Sequence, residues 1–324
     1  QAIIDNGTIQ LGVDELGQLN IPGGVASPVS GTTEVGLRHL PTGLESTSHG
    51  CLCEGWGVGI GDTGASAAAS NDGYTSNLSP VSFSSTASTA TSTVMMTSGE
   101  LEVTHVFAPS ASTPNLYEVK VSITNTSGDD ISDLRYTRSF DWDIEPDTYN
   151  EVVTIQGTAS TSLLLYSNDD GFSDPDPFAS RSEIVSGTTN VDFVDAGPDD
   201  HGALFDFGFG SLLDGETYDF SIFYGAAGTE AGALAALGEV SAELYSFGQP
   251  GADPLGTGAA DIGGDMYDTA TFIFGFSGVG GTVIVPDPTP PTTPGTPAVP
   301  LPAPALLLIG GLGALGALRR RKAA

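Results

Sequence analysis

In the run Arg135-Tyr-Thr-Arg-Ser-Phe-Asp-Trp-Asp-Ile-Glu-Pro146 three carboxylates, Asp141, Asp143 and Glu145, recur at every second position. Side chains of an extended strand alternate between its faces, so all three point the same way. Residues two apart on one face are separated by about 7 Å, a spacing that suits two kinds of chemistry. Paired carboxyls such as Asp141 and Asp143, with His201 as a further proton carrier, can act as acid and base in cleaving a polysaccharide. The same carboxylates are candidate calcium ligands, the ion offsetting their mutual repulsion. Plain solvation is the expectation, because a strand offers its ligands in a line whereas calcium is usually wrapped by a loop that also supplies carbonyls.

Two further groups carry candidate chemistry. The acidic stretch Ser167 to Pro177 holds Asp169, Asp170, Asp174 and Asp176, oxygen ligands of the kind calcium takes, in a spacing that fits a solvated turn better than a calcium loop. Both cysteines of the chain lie in His49-Gly-Cys51-Leu-Cys53-Glu-Gly-Trp56. On an extended segment His49, Cys51 and Cys53 share a face and make three ligands of a metal or redox site, but a fourth ligand is not in view. In an oxidising compartment a local Cys51 to Cys53 disulfide is the expected state. A Gly-rich phosphate loop, a Gly-x-Ser-x-Gly elbow and a His-Glu-x-x-His pair are all missing from the sequence. Calcium is therefore the one cofactor to consider, and catalysis is not the expected role.

The elements that must position these groups read as strands. Even positions of the acidic run, Leu134, Tyr136, Arg138, Phe140, Trp142 and Ile144, make an apolar face for a strand over 131–145. Arg138 within it must stack on aromatic rings or meet a carboxylate from elsewhere, since an unpaired buried charge is too costly. Leu101 to Phe107 and Tyr117 to Ile123 alternate in the same way, with His105 on the buried side as a hydrogen-bonded core residue. Short strands are expected in Thr8 to Leu11 and Gln18 to Ile21, and two more between Tyr149 and Tyr166. The Ser- and Thr-rich stretch from Asp62 to Thr97 permits strands of a polar-faced sheet. After Asp199-Asp200-His201-Gly202, the segments Ala203 to Leu213 and Glu216 to Tyr224 suggest a hairpin closed by Asp214-Gly215, and Thr271 to Ser277 with Val279 to Val285 suggests a last pair. One helix is expected from Thr229 onward, capped by that threonine, with Leu234, Leu237, Val240 and Leu244 on its packed side as a cover for the sheet or its edge. The fold class is all-β, a β-sandwich of mostly antiparallel strands with one packed helix and a C-terminal transmembrane helix.

Composition narrows the partners. The 324 residues carry 9 Lys plus Arg against 40 Asp plus Glu, a formal net charge of -31. Four of the nine basic residues lie in 319–322, leaving Arg38, Lys120, Arg135, Arg138 and Arg181 for all the rest, so nucleic acid is excluded as a partner. The chain begins at Gln1 rather than a methionine, which fits removal of a secretory signal peptide.

The organisation follows from composition shifts: a β-rich extracellular body over 1–285, a Pro- and Thr-rich linker over 286–298 and a tail over 299–324. The linker is a polyproline spacer of about 3.1 Å per residue. In the tail, Val299-Pro300-Leu301-Pro302-Ala303 precedes an apolar run to Leu318 and then Arg319-Arg-Arg-Lys322. As a helix the run from Ala303 to Leu318 extends ~24 Å, a membrane anchor that needs bilayer thinning or snorkelling to span, and the basic end fixes it with the body outside. A buried C-terminal core helix is disfavoured by its four glycines and its tetrabasic end.

This order of motif, apolar helix and basic end resembles the VPLPA variant of the PEP-CTERM sorting signals. The resemblance implies an exosortase-type membrane protease as partner, recognising the tail near Val299 to Ala303, and transient anchoring in the inner membrane on the way to the outer surface or the extracellular space. In the body, the 135–146 run, Cys51-Leu-Cys-Glu-Gly-Trp56, Asp200-His-Gly202, Phe205-Asp-Phe-Gly-Phe209 and Glu243-Leu-Tyr-Ser-Phe-Gly248 are similar to segments of exported bacterial proteins of uncharacterised role. The expected function is that of a surface-sorted structural or binding protein with a glycan or matrix partner, the alternative being a secreted polysaccharide hydrolase or lyase.

Overall fold

The computed structural model describes residues 1–47, 54–70, 74–251 and 270–285. Expectations for His49, Cys51 and Cys53, for the linker and for the sorting tail with Val299, Pro300, Leu301, Pro302 and Ala303 lie outside the described residues. Among the described residues no helix is long and apolar enough to cross a membrane.

The strands in chain order are β1 (Ala2–Asp5), β2 (Ile9–Val13), β3 (Leu37–His39), β4 (Leu44–Glu45), β5 (Glu54–Ile60), β6 (Ala65–Ser70), β7 (Thr75–Ser76), β8 (Leu78–Ser85), β9 (Ala90–Met96), β10 (Leu101–Pro109) and β11 (Leu116–Asn125). They continue with β12 (Ile131–Asp141), β13 (Glu151–Gln156), β14 (Leu164–Asn168), β15 (Phe193–Asp199), β16 (Gly202–Leu212) and β17 (Thr217–Ala227). The helix α1 (Glu230–Glu239) follows, and then β18 (Leu244–Gln249) and β19 (Thr271–Ser277). Strands β1 to β4 make a small sheet in that order; a nine-stranded sheet runs β15-β13-β18-β19-β17-β11-β10-β9-β8, and a six-stranded sheet runs β14-β16-β12-β5-β6-β7. Each pairing between named strands is antiparallel, as expected for this class.

The two larger sheets face one another across a core rich in aromatic rings. Tyr136 meets Phe220 at 4.9 Å, Phe140 meets Phe274 at 5.0 Å, and Phe207 meets Phe276 at 5.0 Å between centroids. Each such buried ring contributes roughly 1.5–3 kcal/mol relative to exposure, so the alternation of large apolar residues selects which strand face turns inward. In β10 and β11 the register Val103 to Ile123, His105 to Val121 and Phe107 to Val119 stacks their apolar positions on the same side.

Several expectations need correction. The segments after Gly202 do not form a hairpin: β16 belongs to the six-stranded sheet and β17 to the nine-stranded one. Both strands carry rings on their inner faces, and crossing between sheets lets Phe209 stack on Tyr218 at 4.2 Å and approach Phe220 at 5.1 Å across the core. The acidic strand stops at Asp141 instead of continuing to Glu145, and residues 279–285 are not a strand. The helix is capped as expected, the Thr229 hydroxyl accepting from Gly232 N at 3.1 Å, but it ends at Glu239, and Leu244 opens the next strand. It covers the outer face of the nine-stranded sheet at β17 and β19, where Ala233, Ala236 and Leu237 join Phe223, Tyr245, Phe247 and Ile273 in a second apolar cluster. That face, rather than an edge, needs a cover because Phe223, Tyr245 and Phe247 point outward from it.

Candidate metal centre

Asp141 is the last residue of β12 and pairs with Gly202 at the start of β16. The backbone of a neighbouring loop closes on it from another side: a Cβ at Gly171 would lie 2.6 Å from the Asp141 Cα, and one at Gly202 2.7 Å from the same atom. Only glycine lets both segments approach so closely. Asp143 follows as the chain leaves the strand, its amide donating to the Ser46 carbonyl at 2.9 Å. Asp200 lies in the turn between β15 and β16. These connections bring carboxylate oxygens of Asp141, Asp143 and Asp200 within 4.8 Å of one another.

The solvation expected of this row is overturned, since Asp141 is 0% exposed and Asp143 1%. Among the described residues no hydrogen-bond donor reaches either Asp141 oxygen or Asp200 Oδ1. Burial, and then the charges of Asp143 and Asp200, push the Asp141 carboxyl well above the usual carboxylate range. Glu151, at the start of β13, is also fully buried; its Oε1 accepts from Ile144 N at 3.1 Å, while its Oε2 meets no donor among the described residues. Burial pushes its carboxyl up to about 10, with Asp143 and Asp141 adding to the effect.

Glu145, expected in the same row, is held elsewhere. It accepts from the Ser27 hydroxyl at 2.8 Å, from Ser30 N at 3.2 Å and from Glu45 N at 2.9 Å, and so ties the 27–30 turn to β4. Its removal from the row follows from the end of the strand: past Asp141 the period-two alternation no longer holds.

The four aspartates of 167–177 do not converge on one point either. Asp169 is fully buried and accepts from Ile184 N, Val185 N, the Thr188 hydroxyl and His201 Nδ1 at 2.7–3.0 Å. Burial opposes ionisation of Asp169, but His201, Thr188 and the two amides outweigh it and hold the carboxyl below its usual range. Asp170 accepts from Phe172 N and the Ser173 hydroxyl, Asp174 from Asp176 N, and Asp176 from the Ser66 hydroxyl and Phe178 N. Nor is the segment a freely solvated turn. It lies on the sheet, where a Cβ at Gly57 would come 2.1 Å from the Pro175 carbonyl, and Asp169 and Asp170 are buried beneath it.

His201 does not face the carboxylate cluster as a base. Its Nδ1 is 2.9 Å from Asp169 and its Nε2 3.2 Å from the Glu151 carbonyl, so both ring nitrogens are directed at other acceptors. The paired-carboxylate chemistry considered for Asp141 and Asp143 would also need a sugar to reach two buried groups. The cluster suits a small hard cation instead: its ligand atoms are all carboxylate oxygens, without thiolate or a free imidazole.

Sequence reasoning found Asp141 and Asp143 and missed Asp200 and Glu151. Asp200 was visible only as part of Asp199-Asp200-His201-Gly202, and what joins it to Asp141 is the pairing of Gly202 opposite that residue, a contact across 61 positions of the chain. No protein-family model matches this chain and no curated protein matches it, so what the protein does has to be read from its own side chains.

Proposed function

We propose that this chain is an exported, surface-sorted structural or binding protein, delivered through its C-terminal tail and holding a glycan or matrix partner. The observation that supports this is where its ionisable side chains go. Arg138 with Glu54, Arg38 with Glu45 and His201 with Asp169 are buried pairs joining separate segments of the body, and Glu145 ties a turn to a strand. Charge is used to hold the body together. Two surface depressions, one lined by Lys120, Ser122, Asp219 and Ser221 and the other by Asn6 and residues 109–114, bring no pair of carboxylates together. Sorting by an exosortase-type protease at Val299 to Ala303, with transient inner-membrane anchoring, accounts for the tail, and the acidity of the body accounts for the exclusion of nucleic acid.

A glycan array and polysaccharide pull-down with the purified protein, followed by assay of the retained polymer for new chain ends, tests this reading. Retention of a polymer without cleavage is expected. Release of reducing or unsaturated ends would replace it with the hydrolase or lyase.

A further inference from the structure

We infer that Asp141, Asp143 and Asp200, with Glu151 beside them, bind one divalent cation of the calcium type, which fastens the turn before β16 to the end of β12.

Two observations besides the clustering point to a ligand. Asp141 is completely buried, yet neither of its oxygens meets a donor among the described residues. A buried carboxylate normally collects amide or hydroxyl donors, as Asp169 does a short distance along the chain with four of them. Glu151, from a different strand, repeats the pattern with a second fully buried oxygen that lacks a donor. The Asp141 and Glu151 oxygens, gathered without donors, are the inverse of a hydrogen-bonded network, and a cation is the partner they have in common.

The chemistry of the set selects the ion. Carboxylate oxygens suit hard cations, whereas zinc and copper favour sulfur or imidazole, which this cluster does not offer. Oxygens within 4.8 Å of one another fit around an ion that takes them at about 2.4 Å, because that is the span between ligands on opposite sides of it. Magnesium binds at about 2.0–2.1 Å, demands near-ideal octahedral geometry and sheds its waters reluctantly, so an enclosed set of three or four carboxylates favours calcium. The backbone approach at Gly171 and Gly202 closes the site around Asp141.

The test is calorimetric titration of calcium into the full-length protein after removal of metal by a chelator, with melting curves run in parallel. One calcium per chain is expected, together with a melting temperature that falls on chelation and recovers with calcium but not with equal magnesium. Asp200→Asn, in a half-exposed turn, and Asp141→Asn should each lose both responses, while Asp174→Asn, on the exposed part of the 167–177 segment, should keep them. Asp200→Asn serves if the Asp141 variant fails to fold. A stripped protein indifferent to calcium would overturn the inference and leave the carboxyls protonated and bonded to one another. Calcium binding that survives in Asp200→Asn, or that is lost in Asp174→Asn, would also overturn it by placing the ion elsewhere.

Discussion

Arg138 of β12 and Glu54 of β5 form an ion pair at 2.5 Å with both side chains fully excluded from solvent. Each partner is otherwise satisfied. Arg138 also donates to the Gly17 carbonyl at 3.1 Å and the Tyr136 hydroxyl at 3.2 Å and lies over the Tyr224 ring at 5.8 Å, while Glu54 accepts from Leu19 N at 2.7 Å and from the Tyr224 hydroxyl. Burial alone would make the guanidinium easier to deprotonate, but Glu54 beside it holds its pKa well above the ordinary value.

Removing one partner should therefore cost far more than removing both. Glu54→Gln leaves a buried guanidinium without its counter-charge and is expected to destabilise by roughly 3–5 kcal/mol, whereas the double variant Arg138→Met with Glu54→Leu should recover much of that loss. Urea unfolding of the wild type, Glu54→Gln, the singles Arg138→Met and Glu54→Leu, and the double variant checks it. A double variant as unstable as the sum of the two singles would show that the pair adds no coupling.

His105 should make the fold sensitive to mild acid. It is fully buried, with its ring 4.7 Å from that of Trp56 and its Nε2 3.4 Å from both Tyr136 Oη and Arg138 Nη1. Burial, and then the Arg138 charge, lower its pKa well below 6.5. The unfolded chain takes up a proton below about pH 6.5 that the native ring refuses, so the contribution of His105 is complete above that pH and is lost progressively as pH falls toward the folded pKa. His105→Gln should flatten this dependence by up to about 1.4 kcal/mol per pH unit, the slope for a single proton. Equal pH slopes for the two proteins between about pH 5 and 7 would contradict it.

Deleting Val299 to Ala324 should send the body into the medium as a folded, soluble protein. The main core cluster is built from described residues up to Val279. Fractionation followed by a melting curve of the secreted product gives the answer, and an unfolded or membrane-retained product would contradict the prediction.

If the chain is exported as proposed, it should show no free thiol. Its only cysteines, Cys51 and Cys53, are separated by a single residue, and an oxidising compartment favours their joining. Labelling before and after reduction is the measurement. Two labelled equivalents before reduction would reverse the expectation and return the His49, Cys51 and Cys53 triplet to consideration as a metal or redox site.

Where one strand face sufficed, the sequence was easy to read. The alternation in 101–107 and 117–123 appears as β10 and β11, and the two alternatives posed for Arg138, ring or carboxylate, are both realised, in Tyr224 and Glu54. The alternate spacing of Phe205, Phe207 and Phe209 marks a buried face, as does that of Tyr218, Phe220 and Ile222. Periodicity could not say whether the two sets lie side by side in one sheet or opposite each other in two, because both arrangements bury the same residues. The acidic run misled for a related reason. Asp141 and Asp143 alternate with aromatics as an exposed face would, but here the outer face is itself covered, by a turn and a loop that arrive from 30 to 60 residues further on.

The last described strand, β19, does not lie at a margin of the nine-stranded sheet but inside it, between β18 and β17. It pairs with both, from Thr271 to Ser277 on one side and from Phe272 to Phe276 on the other. During synthesis the strands from β8 to β17 can meet early, and β15, β13 and β18 can pair with one another, yet within this sheet the two groups are joined only when β19 has emerged. Completion of the nine-stranded sheet is thereby deferred until β19 has been made, a delay that follows from topology alone.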